Sequence, residues 1–251
     1  MLHHQPQVDV RTGRTLGTEA LIRWAHPVRG LLGPAQFLPL AEAHGLMGAV
    51  TDEVLQQAVA QAAEWRRRGL DLRMSVNLSA SNLLDADLPR RVAGLLAGAG
   101  LPAGSLVLEV TETVLMGDAE RSLAVVTALI GLGLTVSIDD FGTGYSSLSY
   151  LRDLPVAELK LDRSFTADLL VEPRTEAIVA STIELAHRLG MRVVAEGVEH
   201  EATLARLADL GCDESQGYLH SAPLPADRLE DWLDRVGTAR QLVPTLELVG
   251  P

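Results

Sequence analysis

Apolar residues along the chain alternate between two kinds of segment. Short apolar runs at 72–78, 105–110, 134–138, 157–161 and 192–195 have the length and branched side chains of buried strands. Longer stretches with apolar residues at helical spacing separate them. Strands that alternate with helices this regularly predict a parallel sheet, and so many units in 251 residues favour a closed (β/α) barrel. An open doubly wound sheet is the structural alternative.

The remaining elements extend this pattern to both ends of the chain. Residues 2–10 and 17–24 alternate apolar and polar, with a turn at 11–14, and predict two paired strands. Within the second of these strands, Glu19, Leu21 and Arg23 share one face. Helices are predicted at 34–44, 50–68, from the end of the 72–78 strand to about 99, and at 118–130, 172–189, 201–210 and 226–236, and a last short strand at 214–218. Trp65 is predicted to lie in the core, in the apolar stripe of its helix.

Polar residues occur where the apolar strands end. The residues at or just after these runs are Asn77, Glu109, Asp139, Asp140 and Glu196. Functional groups of a (β/α) barrel gather at the C-terminal strand ends, so these side chains are predicted to meet at one mouth. Glu19 lies near the start of its run, and its place in the cluster depends on its facing inward.

The stretch 138–147 is the strongest site signal. Two adjacent carboxylates, Asp139 and Asp140, end an apolar run and precede a Gly-x-Gly sequence and a serine pair. Adjacent carboxylates near other acids repel each other unless a cation lies between them. The glycines allow positive φ and close approach of the backbone to a ligand. A solvated Asp-Asp turn is the simpler interpretation of this stretch alone.

The predicted cluster suits divalent cations. Carboxylate and amide oxygens are the ligands of Mg²⁺ or Mn²⁺, and the sequence has no Cys/His set with zinc spacing. His3, His4 and His26 are within reach of the mouth, either as ligands or as structural or surface residues. Two metals in such a site can hydrolyse a phosphodiester. Lys160 shares a strand face with Glu158 and Asp162, which predicts either a buried salt bridge or a cation that orients the attacking water or the phosphate.

Composition excludes several partners. The formal charge is −12, and no basic run exceeds Arg66-Arg67-Arg68, which argues against a nucleic-acid polymer or an anionic membrane as partner. Glycines interrupt both long uncharged stretches, 92–108 and 122–138, so neither predicts a membrane helix. The sequence shows no signal peptide, and the single cysteine, Cys212, fits a reducing cytoplasm. We therefore expect one cytoplasmic domain spanning residues 1–251, cut from a longer multidomain signalling protein that could itself be membrane-anchored.

Seven ordered motifs resemble one known family. They are Glu19-Ala20-Leu21, Ser75-Val76-Asn77-Leu78-Ser79, Glu109-Val110-Thr111-Glu112, Asp139-Asp140-Phe141-Gly142-Thr143-Gly144, Lys160-Leu161-Asp162, Glu196-Gly197-Val198-Glu199 and Gln216-Gly217-Tyr218. With these motifs the chain resembles an EAL domain, the phosphodiesterase family that linearises cyclic di-GMP, over roughly residues 2–235.

The resemblance implies a fold, an activity and residue roles. The fold is an α/β, TIM-like (β/α)8 barrel with an antiparallel first strand, and the activity is cleavage of cyclic di-GMP to linear pGpG with two Mg²⁺ or Mn²⁺ ions. It implies metal ligands at Glu19, Asn77, Glu109, Asp139 and Asp140; catalytic roles for Glu196, Lys160 and Glu19; substrate contacts at Gln5, Arg23 and Gln216; and supporting roles for Glu112, Asp162 and Glu199. Glu112 would anchor the loop 140–149, which in this family links the metals to a homodimer interface.

Three positions depart from the family pattern, and two other functions stay open. His4, His220 and Ala222 replace an aromatic residue, a phenylalanine and a basic residue that are common in the family, which bears on ligand affinity rather than on the metals. A non-catalytic cyclic di-GMP receptor or signalling scaffold is the first alternative. The second is a glycosidase that uses a pair such as Glu109 and Glu196, which needs no metal but leaves Asn77, Lys160 and the Asp pair unexplained.

Overall fold

Eight strands close into a barrel in the order β1-β10-β9-β8-β7-β6-β5-β2. The structure is a computed structural model, and it describes residues 1–112, 119–142 and 156–241. The barrel strands are β1 Leu2–Asp9, β2 Thr15–Ile22, β5 Arg73–Leu78, β6 Leu106–Thr111, β7 Thr135–Phe141, β8 Glu158–Leu161, β9 Arg192–Ala195 and β10 Glu214–Ser215. β1 runs antiparallel to both of its neighbours, and the other pairs are parallel. The predicted (β/α)8 barrel with an antiparallel first strand is therefore confirmed, and the open sheet is excluded.

Helices surround the barrel. They are α1 Leu38–Ala43, α2 Met47–Arg67, α3 Ala80–Leu83, α4 Leu88–Ala99, α5 Ala119–Gly131, α6 Arg163–Asp168, α7 Pro173–Arg188, α8 Glu201–Asp209 and α9 Ala226–Gln241. Two short 3-10 helices lie at Pro34–Gln36 and Ala103–Ser105. Among the described residues, no helix combines the length and the apolar character that crossing a membrane requires.

Several predicted boundaries needed correction. The strand predicted at 17–24 ends at Ile22, and a separate hairpin, β3 Trp24–His26 with β4 Gly30–Leu32, follows it. The predicted helix 34–44 is a 3-10 turn followed by α1, and the segment after β5 is two helices rather than one. The strand predicted at 214–218 has only two residues. Its continuation turns at Gly217, whose carbonyl accepts from the amide of His220.

Local sequence explains the helix that follows β5. Pro89 lies in the first turn of α4, where its missing N–H costs no helical hydrogen bond. Gly100 ends the helix in the left-handed region, at φ 66°, and lets the amide of Leu101 bond to the carbonyl of Leu96. The buried face of α4 includes Val92 and Leu96, so the helix packs on the barrel through one apolar stripe.

Outward-facing strand residues and the helices form the apolar core. Trp65 on α2 is fully buried, as predicted, and its ring makes an edge contact with the imidazole of His4, with 4.9 Å between the centroids. The indole N–H of Trp65 donates to Glu230 Oε1 on α9 at 2.9 Å, so its polar atom is satisfied. His4 therefore lies on the outer side of β1, under α2, and not at the mouth. Burial lowers the pKa of His4 to about 4, so the imidazole is neutral at pH 7.

The N-terminal end of the barrel is closed by four charged side chains, here called the base cluster: Arg73, Glu158, Arg192 and Glu214. Arg73 Nη2 donates to both carboxylate oxygens of Glu214, at 2.5 and 2.6 Å. Arg192 Nε donates to Glu158 Oε2 at 2.6 Å, and weaker contacts of 3.6 and 3.7 Å join the two pairs. Two positive charges face two negative charges, so the cluster is neutral as a whole.

Candidate metal centre

Each strand around the mouth supplies one polar side chain to the interior. Glu19 lies on β2, Asn77 on β5, Glu109 on β6, Asp139 on β7 and Lys160 on β8. Glu196 follows β9 and Gln216 follows β10. Parallel register aligns them, because Asn77 pairs with Glu109 and Thr111 pairs with Asp139. The prediction that strand ends bring these residues to one mouth is confirmed, and Glu19 joins them from the middle of its strand.

The ammonium group of Lys160 lies among four carboxylates. Its Nζ is 2.7 Å from Glu196 Oε1, 2.9 Å from Glu109 Oε2, 3.3 Å from Asp139 Oδ1 and 3.5 Å from Glu19 Oε2. We call Lys160 with these four acids the mouth cluster. Lys160 is fully buried and forms a buried salt bridge, as predicted, but with these four acids rather than with its strand neighbours Glu158 and Asp162, which bind Arg192 and Ser164. One positive charge against four carboxylates leaves the cluster strongly acidic when every carboxylate is ionised.

Two amide side chains orient Glu19. Asn77 Nδ2 donates to Glu19 Oε1 at 2.6 Å, and Gln216 Nε2 donates to Glu19 Oε2 at 2.6 Å. Gln216 Nε2 also lies 3.0 Å from Gln5 Oε1, and Gln5 Nε2 donates to the carbonyl of Ser221 at 3.1 Å. Glu19 is therefore held on both oxygens by residues from two other strands and by Lys160.

A bulge in β7 lets two consecutive residues reach the site. Between β7 and β8 the register advances three residues from Ile138 to Phe141 on one strand but only two, from Leu159 to Leu161, on the other. Asp140 occupies this bulge at φ 54°, the only positive φ of a non-glycine residue among the described residues. Neighbouring side chains of a regular strand point to opposite faces, and the bulge overrides that alternation. Carboxylate oxygens of Asp139, Asp140 and Glu196 consequently lie within 4.8 Å of one another.

Burial and crowding disturb the acid–base behaviour of these groups. Desolvation raises the pKa of Glu196 to about 7, with repulsion from Asp139 and Glu19 adding to it and Lys160 opposing it. Desolvation also raises the pKa of Glu109 well above its ordinary value, and the pKa of Asp140 is raised by burial and by Asp139.

Glu19 and Lys160 keep their charge. Desolvation opposes ionisation of Glu19, but Lys160 and the amide donors outweigh it, so the pKa of Glu19 is lowered. Burial of Lys160 favours the neutral amine, yet the surrounding carboxylates raise its pKa well above its ordinary value. The mouth therefore contains a charged lysine and more carboxylates than that lysine can neutralise.

The donor set fits a hard divalent cation. Asp139, Asp140 and Glu196 form a compact group of oxygen ligands, and no His or Cys belongs to it. Glu109 Oε1 and Asp139 Oδ1 are buried and accept no hydrogen bond, although Asp139 Oδ1 is within ion-pair distance of Lys160. Unsatisfied buried carboxylate oxygens are costly unless a cation or a donor reaches them. The acidic cluster could therefore hold a metal ion.

The remaining predicted site residues lie outside the mouth cluster. Glu112 is buried, and its Oε2 accepts from the amide of Gly142 at 3.4 Å. Arg23 is half-buried, and its Nη1 donates to the carbonyl of Ile22. Asp162 caps α6 by accepting from the amide and hydroxyl of Ser164. Glu199 is exposed, and residues 143–149 of the predicted loop lie outside the described residues.

Two features of the site escaped the sequence analysis. The bulge at Asp140 depends on pairing with β8, although the Asp-Asp pair itself marked the position. Helix α6 was missed because six residues are too few for a helical period to show. The only local signal for it was Asp162 followed by Ser164, a typical N-cap sequence.

The fold and the site together define a class: a (β/α)8 barrel with a buried acidic centre at the C-terminal ends of its strands. The sequence model of the EAL domain matches residues 1–223. The chain belongs to the EAL domain family.

Known relatives are similar over almost the whole chain. The cyclic di-GMP phosphodiesterase PA2567 of Pseudomonas aeruginosa is 45% identical over 234 residues, covering 93% of this chain and 40% of the relative. The cyclic di-GMP phosphodiesterase NbdA of the same organism is 46% identical over 233 residues, covering 92% of this chain and 30% of NbdA. The chain thus spans well under half the length of these curated relatives.

Two solved structures share the fold. The PaMucR phosphodiesterase in complex with c-di-GMP superposes with a TM-score of 0.87 at 45% identity, covering 91% of this chain and 93% of that one. The EAL domain of Mycobacterium smegmatis DcpA gives a TM-score of 0.78 at 37% identity, covering 93% and 95% of the two chains.

Proposed function

We propose that this domain is a metal-dependent phosphodiesterase that hydrolyses cyclic di-GMP to linear pGpG at the mouth cluster. The observation that carries the proposal is the charge imbalance at the mouth, where Lys160 alone faces four carboxylates, three of them buried. Similarity to relatives named cyclic di-GMP phosphodiesterases supports the choice of substrate.

The proposed metals are two Mg²⁺ or Mn²⁺ ions. Glu19, Asn77, Glu109 and Asp139 would hold one ion, with Asp139 and Asp140 holding the second. When bound, the ions supply charge neutralisation and Lewis-acid polarisation of the phosphate. Asn77 suits this role because its Nδ2 already binds Glu19, which leaves its amide oxygen as the ligand.

The chain's own residues would handle the proton. A pKa of Glu196 near 7 matches a general base that works at neutral pH. Its carboxylate would accept a proton from the attacking water, whose oxygen forms a new bond to phosphorus as one P–O ester bond of the cyclic substrate breaks. The released ribose oxygen would take up a proton and leave as a hydroxyl group. Lys160, 2.7 Å from Glu196, would stabilise the ionised carboxylate and orient the water.

The remaining roles follow the same proposal. Gln5, Arg23 and Gln216 would contact the substrate, and Glu112, Asp162 and Glu199 would support the site. Because Gln216 donates to both Gln5 and Glu19, substrate contact by either glutamine would be coupled to the position of a metal ligand. A homodimer through the region after Asp139-Asp140 completes the proposal, with residues 1–251 as one cytoplasmic domain of a longer protein.

Turnover of cyclic di-GMP with and without chelator tests the function. Purified protein with Mg²⁺ or Mn²⁺ should convert cyclic di-GMP to pGpG, measured by chromatography, and excess EDTA should abolish the conversion. Robust turnover in EDTA would exclude the metal mechanism. Tight binding of cyclic di-GMP without turnover in either metal would establish the receptor alternative instead.

A further inference from the structure

Helix α6 contacts both chain segments that carry the acidic group. One segment contains Asp139 and Asp140 and ends the described part of its loop at Gly142. The other is Glu196 and Gly197, directly after β9. Phe165 lies against the first segment and Thr166 against the second, so neighbouring residues of one short helix contact both halves of the centre.

The backbone of Glu196 is held by the segment that leads into α6. Its amide donates to the carbonyl of Leu161 at 3.0 Å, and its carbonyl accepts from Thr166 Oγ1 at 2.5 Å. Thr166 is buried, so no solvent competes for this hydrogen bond. Glu196 is thereby fixed on both sides of its Cα, and its carboxylate is fixed by Lys160.

Glycine at 197 allows this close contact. Gly197 has φ 64°, and a Cβ placed on it would lie 2.4 Å from Arg163 Cβ. A comparable contact holds the other segment: Gly142 has φ 94°, and a Cβ there would lie 2.7 Å from the ring of Phe165. Both glycines are positions where the chain passes directly against α6.

A threonine in a helix commonly bonds to the carbonyl three or four residues before it, and such a bond has no role in a site. Thr166 Oγ1 is 2.9 Å from the carbonyl of Arg163 and 2.5 Å from that of Glu196. A hydroxyl has one proton to donate, and the shorter distance assigns it to Glu196. The bond therefore ties α6 to the metal centre rather than only to itself.

We propose that Thr166 is a positioning residue that sets the distance of the Glu196 carboxylate from the Asp139-Asp140 pair. The inference deepens the proposed function, on which its kinetic part rests. Its binding part requires only that one carboxylate oxygen of Glu196 join Asp139 and Asp140 around a divalent cation, which their spacing within 4.8 Å allows.

Two matched variants test the role. Thr166→Val keeps the shape and removes the hydroxyl, whereas Thr166→Ser keeps the hydroxyl and removes a methyl group. Mn²⁺ binding to chelator-treated protein is measured by isothermal titration calorimetry, and kcat and KM are measured with cyclic di-GMP. Thr166→Val should weaken Mn²⁺ binding about tenfold and lower kcat about 10- to 100-fold with little change in KM, as loss of outer ligand support typically does. Thr166→Ser should stay within about threefold of the parent protein in both measurements.

Thermal unfolding of each variant separates positioning from misfolding. Thr166→Ala serves as the hydroxyl-free variant if valine prevents folding, with the same expected losses. Parent-like Mn²⁺ affinity in a folded hydroxyl-free variant would overturn the proposal, and so would equal losses in Thr166→Ser and Thr166→Val. If the parent binds Mn²⁺ but never turns over cyclic di-GMP, the proposed function fails, and the calorimetric comparison still decides the role of Thr166.

Discussion

The two ends of the barrel interior contain charge clusters of similar size and opposite character. At the base, two arginines face two glutamates, and each cation has a carboxylate within 2.6 Å. At the mouth, Lys160 faces four carboxylates, and two of their buried oxygens accept no hydrogen bond. Both clusters contain buried glutamates of the same sheet, although Arg73 and Arg192 at the base are partly exposed, so burial of a carboxylate alone does not distinguish a structural ion pair from a site. Charge balance does, because an unbalanced cluster needs a further cation.

The comparison predicts different effects for a glutamate-to-glutamine change at each end. At the mouth the change should lower turnover, and at the base it should lower stability. The largest effect is expected at the mouth, where Glu109→Gln removes a proposed ligand. Turnover of cyclic di-GMP should fall on the order of a thousandfold, because losing metal-assisted stabilisation costs about 4 kcal/mol of barrier.

The same Glu109→Gln change should have little effect on the stability of the metal-free protein. The raised pKa of Glu109 shows that its ionised form is unfavourable where it lies, so the free energy of unfolding without metal should change by less than about 1 kcal/mol. Denaturant unfolding in EDTA checks this. A large loss of stability there would mean that Glu109 belongs to a structural cluster like the one at the base.

The next effect is expected at the base. Glu214→Gln removes the carboxylate that pairs with Arg73 and leaves a largely buried cation with only a 3.6 Å contact to Glu158. The free energy of unfolding should fall by about 3 kcal/mol, as for other broken buried pairs. The kcat of the folded protein should stay within about twofold of the parent value.

An exposed pair provides the control for that experiment. Glu184 and Arg188 are paired at 2.6 Å on α7, with both side chains mostly exposed. Glu184→Gln should change stability by less than about 0.5 kcal/mol. If Glu184→Gln and Glu214→Gln lower the free energy of unfolding equally, the base cluster stabilises the fold no more than an exposed ion pair does.

The last predicted effect, smaller than that of Glu214→Gln, concerns a buried neutral group outside both clusters. His4 has a folded-state pKa of about 4 against an unfolded value near 6.5, so the unfolded state binds its proton first as pH falls. Its contribution to stability is complete above about pH 6.5 and is lost between about pH 6.5 and 4.

The measurement is a difference between two proteins. From about pH 7.5 to pH 5, the parent should lose about 2 kcal/mol more unfolding free energy than His4→Phe, which has no ionisable group there and suits the contact with Trp65. Because every other ionisable group is the same in both proteins, the contributions of those groups cancel. Parallel pH profiles would show that the pKa of His4 does not differ between the folded and unfolded states.

The sequence predicted the mouth far better than the base. Asn77, Glu109 and Asp139 are polar residues within or at the end of apolar strands, where only a site explains them. Arg73 and Arg192 begin their strands and look like ordinary solvated ends. These side chains meet because barrel closure brings β5, β8, β9 and β10 together. No local sequence pattern predicts that meeting.

Element boundaries show the same division between local and long-range information. β9 was predicted correctly at 192–195, because a glycine before it and a polar residue after it mark its ends. The hairpin of β3 and β4 was missed, because its strands have three residues each and are largely exposed. The spacing role that we infer for α6 depends on contacts with residues about 30 positions away, which periodicity cannot reveal.

Closure of the barrel between β1 and β10 also determines when the site can exist. The first strand pairs with a strand more than 200 residues later, since Val8 opposes Ser215. Gln216, which holds Glu19, arrives with that last strand. A ribosome-bound chain that stops before Gln216 thus lacks the residue that holds Glu19, and its barrel is not yet closed between β1 and β10. A nascent chain should therefore gain metal affinity only after Gln216 has left the ribosome, in the same step that closes the barrel.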